Sequence, residues 1–112
     1  MCRMVVSMKQ ELNIYEENLS NYVKVVISGE VDIYTSSKLK ESLYDIIDKN
    51  RMDIKIDCSQ LKYIDSTGLG IFAGAFKKAK EIDRKIYLTG LKSNIKKLFV
   101  ITGLDKLFII EE

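Results

Sequence analysis

A chain of 112 residues with 46% apolar and 30% charged residues is long enough for one soluble domain with a single core and too short for two. Its 18 basic and 16 acidic residues are dispersed along the chain and give a net charge of +2, so there is no electrostatic case for nucleic acid as the main partner, which would normally need a concentrated basic face. No apolar run approaches the roughly 20 residues of a membrane-spanning helix. We therefore expect a soluble domain that binds neither nucleic acid nor membrane directly.

The sequence has few reactive side chains: two cysteines, Cys2 and Cys58, and no histidine. A disulfide framework or a Cys/His zinc site is not expected, and a reducing, cytoplasmic compartment fits this composition. Nucleophilic catalysis by a serine or cysteine paired with histidine is excluded, because the chain lacks the base. Cys58 follows Asp57, whose charge raises a thiol pKa, so Cys58 is expected to be a small core residue.

The N-terminal part of the chain predicts two strands. Met1–Ser7 is too short for a signal peptide, and we interpret it as a leader or alternative-start extension preceding one domain over residues 8–112. Lys9–Glu16 and Tyr22–Ser28 are separated by turn residues and predict an antiparallel pair, the second strand central in the sheet. Gly29–Asp32 is expected to turn the chain out of that strand.

A helix and a short strand are predicted next. Apolar residues recur at helical spacing over Ser36–Asn50, and Thr35 or Ser36 is the expected cap. Asp53–Asp57 reads as a strand that ends at Cys58-Ser59. Gln60–Ile64 then predicts a connection whose Leu61 and Ile64 turn inward.

The C-terminal half alternates helices with strands. After the turn at residues 64–70, a helix is predicted to run to about Asp83, with one apolar stripe formed by Leu69, Phe72, Ala73, Phe76 and Ala79. Lys85–Thr89 predicts a strand, Ser93 can cap a third helix, and Gly103 is placed for a left-handed C-terminal residue. Leu107–Ile110 predicts the last strand. The order β-β-α-β-α-β-α-β indicates a single α/β domain with a mixed, mostly parallel sheet of four or five strands and helices packed on it.

The polar turn Ile64-Asp65-Ser66-Thr67-Gly68-Leu69-Gly70 is the most informative stretch. It lies at a predicted helix start, where unpaired backbone N–H groups favour a negative group. Glycines at 68 and 70 remove side-chain bulk, which would let another protein's backbone approach Ser66. The alternative is an ordinary N-cap in which Asp65 or Ser66 accepts a bond from the first turn, and both interpretations can hold together.

Enzymatic interpretations of this region find little support. A P-loop needs a lysine that is absent here, and a nucleophile elbow needs a glycine two residues before Ser66 and a histidine partner. The Asp-Ser-Thr-Gly sequence is also found in aspartic proteases, but it supplies one carboxylate here and such a protease needs a pair. A phosphate-accepting role for Asp57 would require further acidic Mg²⁺ ligands, for which only Glu16-Glu17 is available, so a loop-bonding carboxylate is favoured. Asp32 with Thr35 and Ser36 is typical of capping chemistry at a strand-to-helix turn.

Several segments together resemble a bacterial anti-sigma factor antagonist, a family built on the domain shared with sulphate transporters, the STAS domain. They are Gly29-Glu30-Val31-Asp32, Asp57-Cys58-Ser59, Ile64–Gly70, and Ile95-Lys96-Lys97-Leu98-Phe99 followed by Thr102-Gly103-Leu104. The resemblance covers about residues 8–112. Its departures are the additional Met1–Ser7 and a cysteine at 58 where an aliphatic residue is more usual.

This resemblance implies a non-enzymatic partner switch without a cofactor or metal of its own. Unphosphorylated, such a protein binds an anti-sigma factor that is also a serine kinase and so frees a sigma factor in stress or sporulation control. A metal-dependent serine/threonine phosphatase reverses the phosphorylation, and the free protein is expected to be a monomer. By position, Ser66 is the phosphorylated residue, and the partner-binding residues are Asp32, Thr35, Ser36, Asp65, Thr67, Gly68, Leu69 and Gly70.

A second function remains open at this stage. The same fold can serve as a ligand-binding or scaffolding module of a signalling complex. Scaffolding relatives usually have an extra domain, and 112 residues leave no room for one.

Overall fold

The computed structural model describes residues 12–111, so the predicted leader at residues 1–7 lies outside the described residues. Within this range the elements follow the predicted order. The strands are β1 (Leu12–Asn18), β2 (Tyr22–Val31), β3 (Asp53–Ile64), β4 (Ile86–Thr89) and β5 (Ile109–Glu111). The helices are α1 (Ser36–Asn50), α2 (Ser66–Glu81), α3 (Ser93–Ile101) and a short 3-10 helix (Leu104–Lys106).

The five strands form one mixed sheet in the order β1-β2-β3-β4-β5. β1 is antiparallel to β2, as predicted, and the remaining neighbours are parallel. Each parallel crossover moves one strand further in the same direction, and right-handed crossovers then place all the helices on one face. Ile54 and Ile56 are accordingly buried, whereas Lys55 and Asp57, which alternate with them, are only partly buried on the opposite face.

The core lies between this face of the sheet and the three helices. α2 and α3 contribute Phe72 and Phe99, whose rings meet edge to face at 5.5 Å, and Phe108 packs against both. The structure confirms Cys58 as a core residue: burial, and secondarily the charge of Asp57, raises the pKa of its thiol to about 12. In the α2 stripe Ala75 is fully buried, whereas the predicted Ala73 is only partly so.

Two predicted strand ends were wrong. β2 does not turn out at Gly29 but continues to Val31, and the predicted connection Gln60–Ile64 belongs to β3. The two strands remain paired through register shifts on either side of Ser28-Gly29, where Gly29 has a φ of 117°. Because Val31, Leu61 and Ile64 are buried, the extension is part of the core, and the inward orientation predicted for Leu61 and Ile64 is confirmed.

The other predicted boundaries hold or differ by a few residues. α1 has the predicted bounds, and Gly103 adopts the predicted left-handed conformation with a φ of 77°. The last strand begins at Ile109, later than predicted, because the 3-10 helix occupies the preceding turn. Lys92, not Ser93, occupies the cap position of α3.

Candidate functional site

The extended ends of β2 and β3 place the predicted site beyond the rest of the sheet. β4 pairs with β3 only as far as Asp57, opposite Thr89, so the seven residues Cys58–Ile64 project past it. At about 3.3 Å per residue this projection is about 20 Å long. Val31 pairs with Ile64 at its tip, and the Asp65 N–H donates to the Val31 carbonyl at 3.1 Å. The loop after β2 and the start of α2 are therefore neighbours.

At the start of α2, the residue that caps the helix and the predicted phosphorylation site are two different residues. Asp65 is the N-cap, and its Oδ1 accepts a hydrogen bond from the Gly68 N–H at 3.1 Å. Ser66 is the first residue of the helix, is exposed, and has no hydrogen-bond partner for its hydroxyl among residues 12–111. Of the two capping alternatives, the structure selects Asp65, which leaves the Ser66 hydroxyl available to a partner.

The two glycines of the turn differ in their surroundings. A Cβ at Gly68 would lie 2.6 Å from the side-chain carbons of both Ile64 and Val31, so Gly68 allows α2 to pack on the strand ends. A Cβ at Gly70 would meet nothing within 4 Å. The idea that both glycines open the surface to a partner therefore fits Gly70 alone, since Gly68 is buried.

Alanine substitutions at these glycines are expected to have opposite effects. Gly68→Ala should lower the free energy of unfolding by about 1–3 kcal/mol, because buried Ile64 and Val31 must shift. Gly70→Ala should raise it by about 0.5–1 kcal/mol, because alanine is the better residue in an exposed helix. Urea denaturation of the matched pair measures both; equal effects, or a destabilising Gly70→Ala, would contradict this packing.

A network of hydrogen bonds shapes the loop that joins β2 to α1. Asp32 Oδ1 accepts from the backbone N–H groups of Tyr34 and Thr35 at 2.9 and 3.1 Å. The Thr35 hydroxyl donates to the Glu30 carbonyl at 2.8 Å and accepts from the Asp32 N–H at 3.0 Å. Thr35 occupies the cap position of α1 without capping it through its side chain. The loop is thus held by its own polar groups.

The predicted partner-binding residues divide into an exposed and a buried group. Asp32 and Asp65 are partly exposed, and Ser66, Thr67 and Gly70 are exposed. Thr35 and Ser36 are only 7% and 8% exposed, and Gly68 and Leu69 are also buried. In this conformation the buried group supports the loop and the helix start, and a partner can contact only the exposed group.

Three apolar side chains at this end of the molecule were missed by sequence reasoning. Ile33 and Tyr34, in the loop after β2, are 64% and 75% exposed, and Tyr63, near the end of β3, is also exposed. They lie outside the regular apolar spacing of the helices and strands, so periodicity alone cannot identify them. Apolar residues directly after the polar Asp32 were the available signal. Exposed aromatic side chains grouped at one end of a domain are typical of a protein interface.

The alternative site at Asp57 lacks metal ligands. Within residues 12–111 no three cysteine or carboxylate side chains cluster in a way that could hold a metal ion. A hydrogen bond from the Ser59 N–H, 2.9 Å from Oδ1, is the main cause of the lowered pKa of Asp57, and Lys24 contributes. Asp57 lies within β3, not at its end.

None of the helices in the described range is long and apolar enough to cross a membrane.

Comparisons with known proteins agree on one family. The model of the STAS domain matches residues 11–112. The anti-sigma-B factor antagonist of Staphylococcus aureus is 36% identical over 101 residues, which is 90% of this chain and 94% of that protein. An anti-sigma factor antagonist from Mycobacterium paratuberculosis superposes with a TM-score of 0.76 at 25% identity, covering 90% of this chain and 86% of that one. The Bacillus cell fate determinant SpoIIAA in its phosphorylated form shares the fold, with a TM-score of 0.69 at 18% identity and coverage of 89% and 92%.

Proposed function

Because the chain belongs to the STAS domain family, we propose that it is an anti-sigma factor antagonist, as its Staphylococcus aureus relative is named. In its unphosphorylated form it binds an anti-sigma factor that is also a serine kinase, and this binding releases a sigma factor. The chain is not an enzyme in this scheme. It acts in the cytoplasm as a monomer, in stress or sporulation control, and needs no cofactor of its own.

The exposed, unpaired hydroxyl of Ser66 is the observation on which the switch depends. Asp65 satisfies the first turn of α2, so a kinase can reach the Ser66 Oγ without disrupting the cap. Asp32, Asp65, Thr67 and Gly70 form the exposed part of the proposed partner-binding face. The kinase supplies ATP and Mg²⁺, and a metal-dependent serine/threonine phosphatase restores the hydroxyl.

The assignment is tested by incubating the protein with ATP and the serine kinase that binds it, and mapping the phosphate by mass spectrometry. We expect one phosphate on Ser66, complete loss of labelling in Ser66→Ala, and normal labelling in Thr67→Ala, the neighbouring exposed hydroxyl. Labelling that persists in Ser66→Ala, or that disappears only in Thr67→Ala, would contradict the assignment.

A further inference from the structure

A second surface with apolar and cationic residues lies at the other end of α2. An open cavity of about 290 Å³ at this end is lined by four apolar side chains, those of Phe76, the buried Ile86, Leu107 and Ile109. Leu107 and Ile109 are 37% and 40% exposed, so the cavity presents apolar surface to solvent. We refer to this cavity and its rim as the far groove.

The rim of the far groove has an excess of positive charge. Lys80, Arg84 and Lys85 line it, with Asp83 as the only acidic residue in the lining. Among residues 12–111 none of these three cations forms an ion pair with a carboxylate; Lys80 Nζ instead lies 5.9 Å from the centre of the Phe76 ring. The groove thus presents apolar side chains beside a rim with a net positive charge, whereas the chain as a whole is close to neutral.

The far groove is distant from Ser66. Lys80 follows Ser66 by fourteen residues in the same helix, which places them about 21 Å apart at 1.5 Å per residue. At this distance, and on the solvent-exposed surface, a phosphate on Ser66 is largely screened from the groove. Binding at the two ends of α2 is therefore compatible.

We propose that the far groove is a second docking site, for an acidic peptide segment of a partner protein that inserts an apolar side chain. The aliphatic or aromatic side chain fills the cavity over Phe76 and Ile86, and flanking carboxylates meet Lys80, Arg84 and Lys85. This pairing combines a desolvated anchor with complementary charge at the rim. Because the site lies apart from Ser66, it engages its partner in both phosphorylation states.

The test is a titration of ¹⁵N-labelled protein with a blocked octapeptide of sequence EEDLFDEE, followed by NMR. We expect shift changes confined to residues 76–86 and 107–109. Replacing the leucine and phenylalanine of the peptide by serine, or its acidic residues by lysine, should abolish binding. The combined variant Lys80→Glu, Arg84→Glu, Lys85→Glu should bind about tenfold more weakly or worse. Ser66→Glu should bind as the unmodified protein does, so the result is independent of the proposed switch.

The matched control replaces three exposed lysines outside the groove by glutamate, namely Lys40, Lys62 and Lys97. This variant should change the affinity for the peptide less than twofold. Equal losses in both triple variants, shifts spread over other surfaces, or no shift at millimolar peptide would overturn the proposal. Binding of decanoate but not of the peptide would assign the groove to a small amphiphile and overturn it as well. A dimer in sedimentation that is lost in the groove variant would instead make a second copy the occupant.

Discussion

Phosphorylation of Ser66 is expected to weaken the complex with the anti-sigma factor about 10⁴-fold, the change that moves a complex from 99:1 bound to 1:99. A phosphate adds about −1.5 to −2 charges at pH 7 to a surface that already contains Asp65 and, in the adjoining loop, Asp32. An interface that closes over a bare hydroxyl would have to accommodate and desolvate this dianion. Isothermal titration calorimetry of unmodified and phosphorylated protein measures the change.

The fold itself should tolerate the phosphate. Ser66 is exposed at the start of α2, where a negative group is favoured by about 0.3–1 kcal/mol, and the nearby Asp65 carboxylate offsets part of this. We therefore expect nearly equal unfolding midpoints for the two forms. A large drop in stability would mean that phosphorylation acts through unfolding, which is not the mechanism proposed.

Ser93 provides a matched control for added charge. Like Ser66, it is the exposed first residue of a helix. The side-chain Nζ of the adjacent Lys92 donates to the Ser59 carbonyl at 2.7 Å, which places this helix start near the base of the projection and not at its tip. Ser66→Glu, which has less charge than a phosphate, should weaken binding by a smaller factor, and Ser93→Glu and Ser66→Ala should leave it nearly unchanged. Equal losses for the two glutamate variants would indicate general charge repulsion instead of a site at Ser66.

Loss of the exposed apolar side chains in the loop after β2 is expected to have the second-largest effect. The double variant Ile33→Ala, Tyr34→Ala should weaken binding to the anti-sigma factor by about 2–4 kcal/mol, because tyrosines that become buried on binding are frequent hot spots of interfaces. Both side chains are largely exposed in the free protein, so its stability should change little. Surface plasmon resonance with the immobilised anti-sigma factor gives the affinity.

The control for this prediction is Tyr15→Ala. Tyr15 is 59% exposed on β1, where it lies opposite Val26, five residues before the end of β2 at Val31, and its loss should not affect binding. If Ile33→Ala, Tyr34→Ala binds like the control, the loop after β2 lies outside the interface. The partner-binding face would then be limited to the start of α2.

Local periodicity predicted the elements that bury one regular face. α1 was predicted with its observed bounds because Leu39, Leu43, Ile46 and Ile47 recur at helical spacing and are all buried. The order of elements along the chain and the mostly parallel sheet followed from the alternation of strands and helices. The extensions of β2 and β3 were missed because Ser28-Gly29 and Ser59-Gln60 interrupt the apolar alternation. Their pairing depends on contacts between segments about 30 residues apart in the chain.

The helix start at Asp65-Ser66 was predicted from the sequence, but the division of roles between these two residues was not. Asp65 and Ser66 both have an oxygen able to cap α2, and only the geometry of the turn separates the cap from the free hydroxyl. Thr35 and Ser36 look like surface residues in sequence, yet tertiary packing buries them. The position of Tyr34 shortly after the polar Asp32 indicated a loop, but its exposure there depends on the fold around it.

The most direct measurement is the release of sigma factor from its complex with the anti-sigma factor as this protein is added. The unmodified protein should free the sigma factor at near-stoichiometric concentration, and the Ser66-phosphorylated protein should free none over the same range. Equal release by the two forms would contradict the switch at Ser66, and no release by the unmodified form would contradict antagonism of the anti-sigma factor.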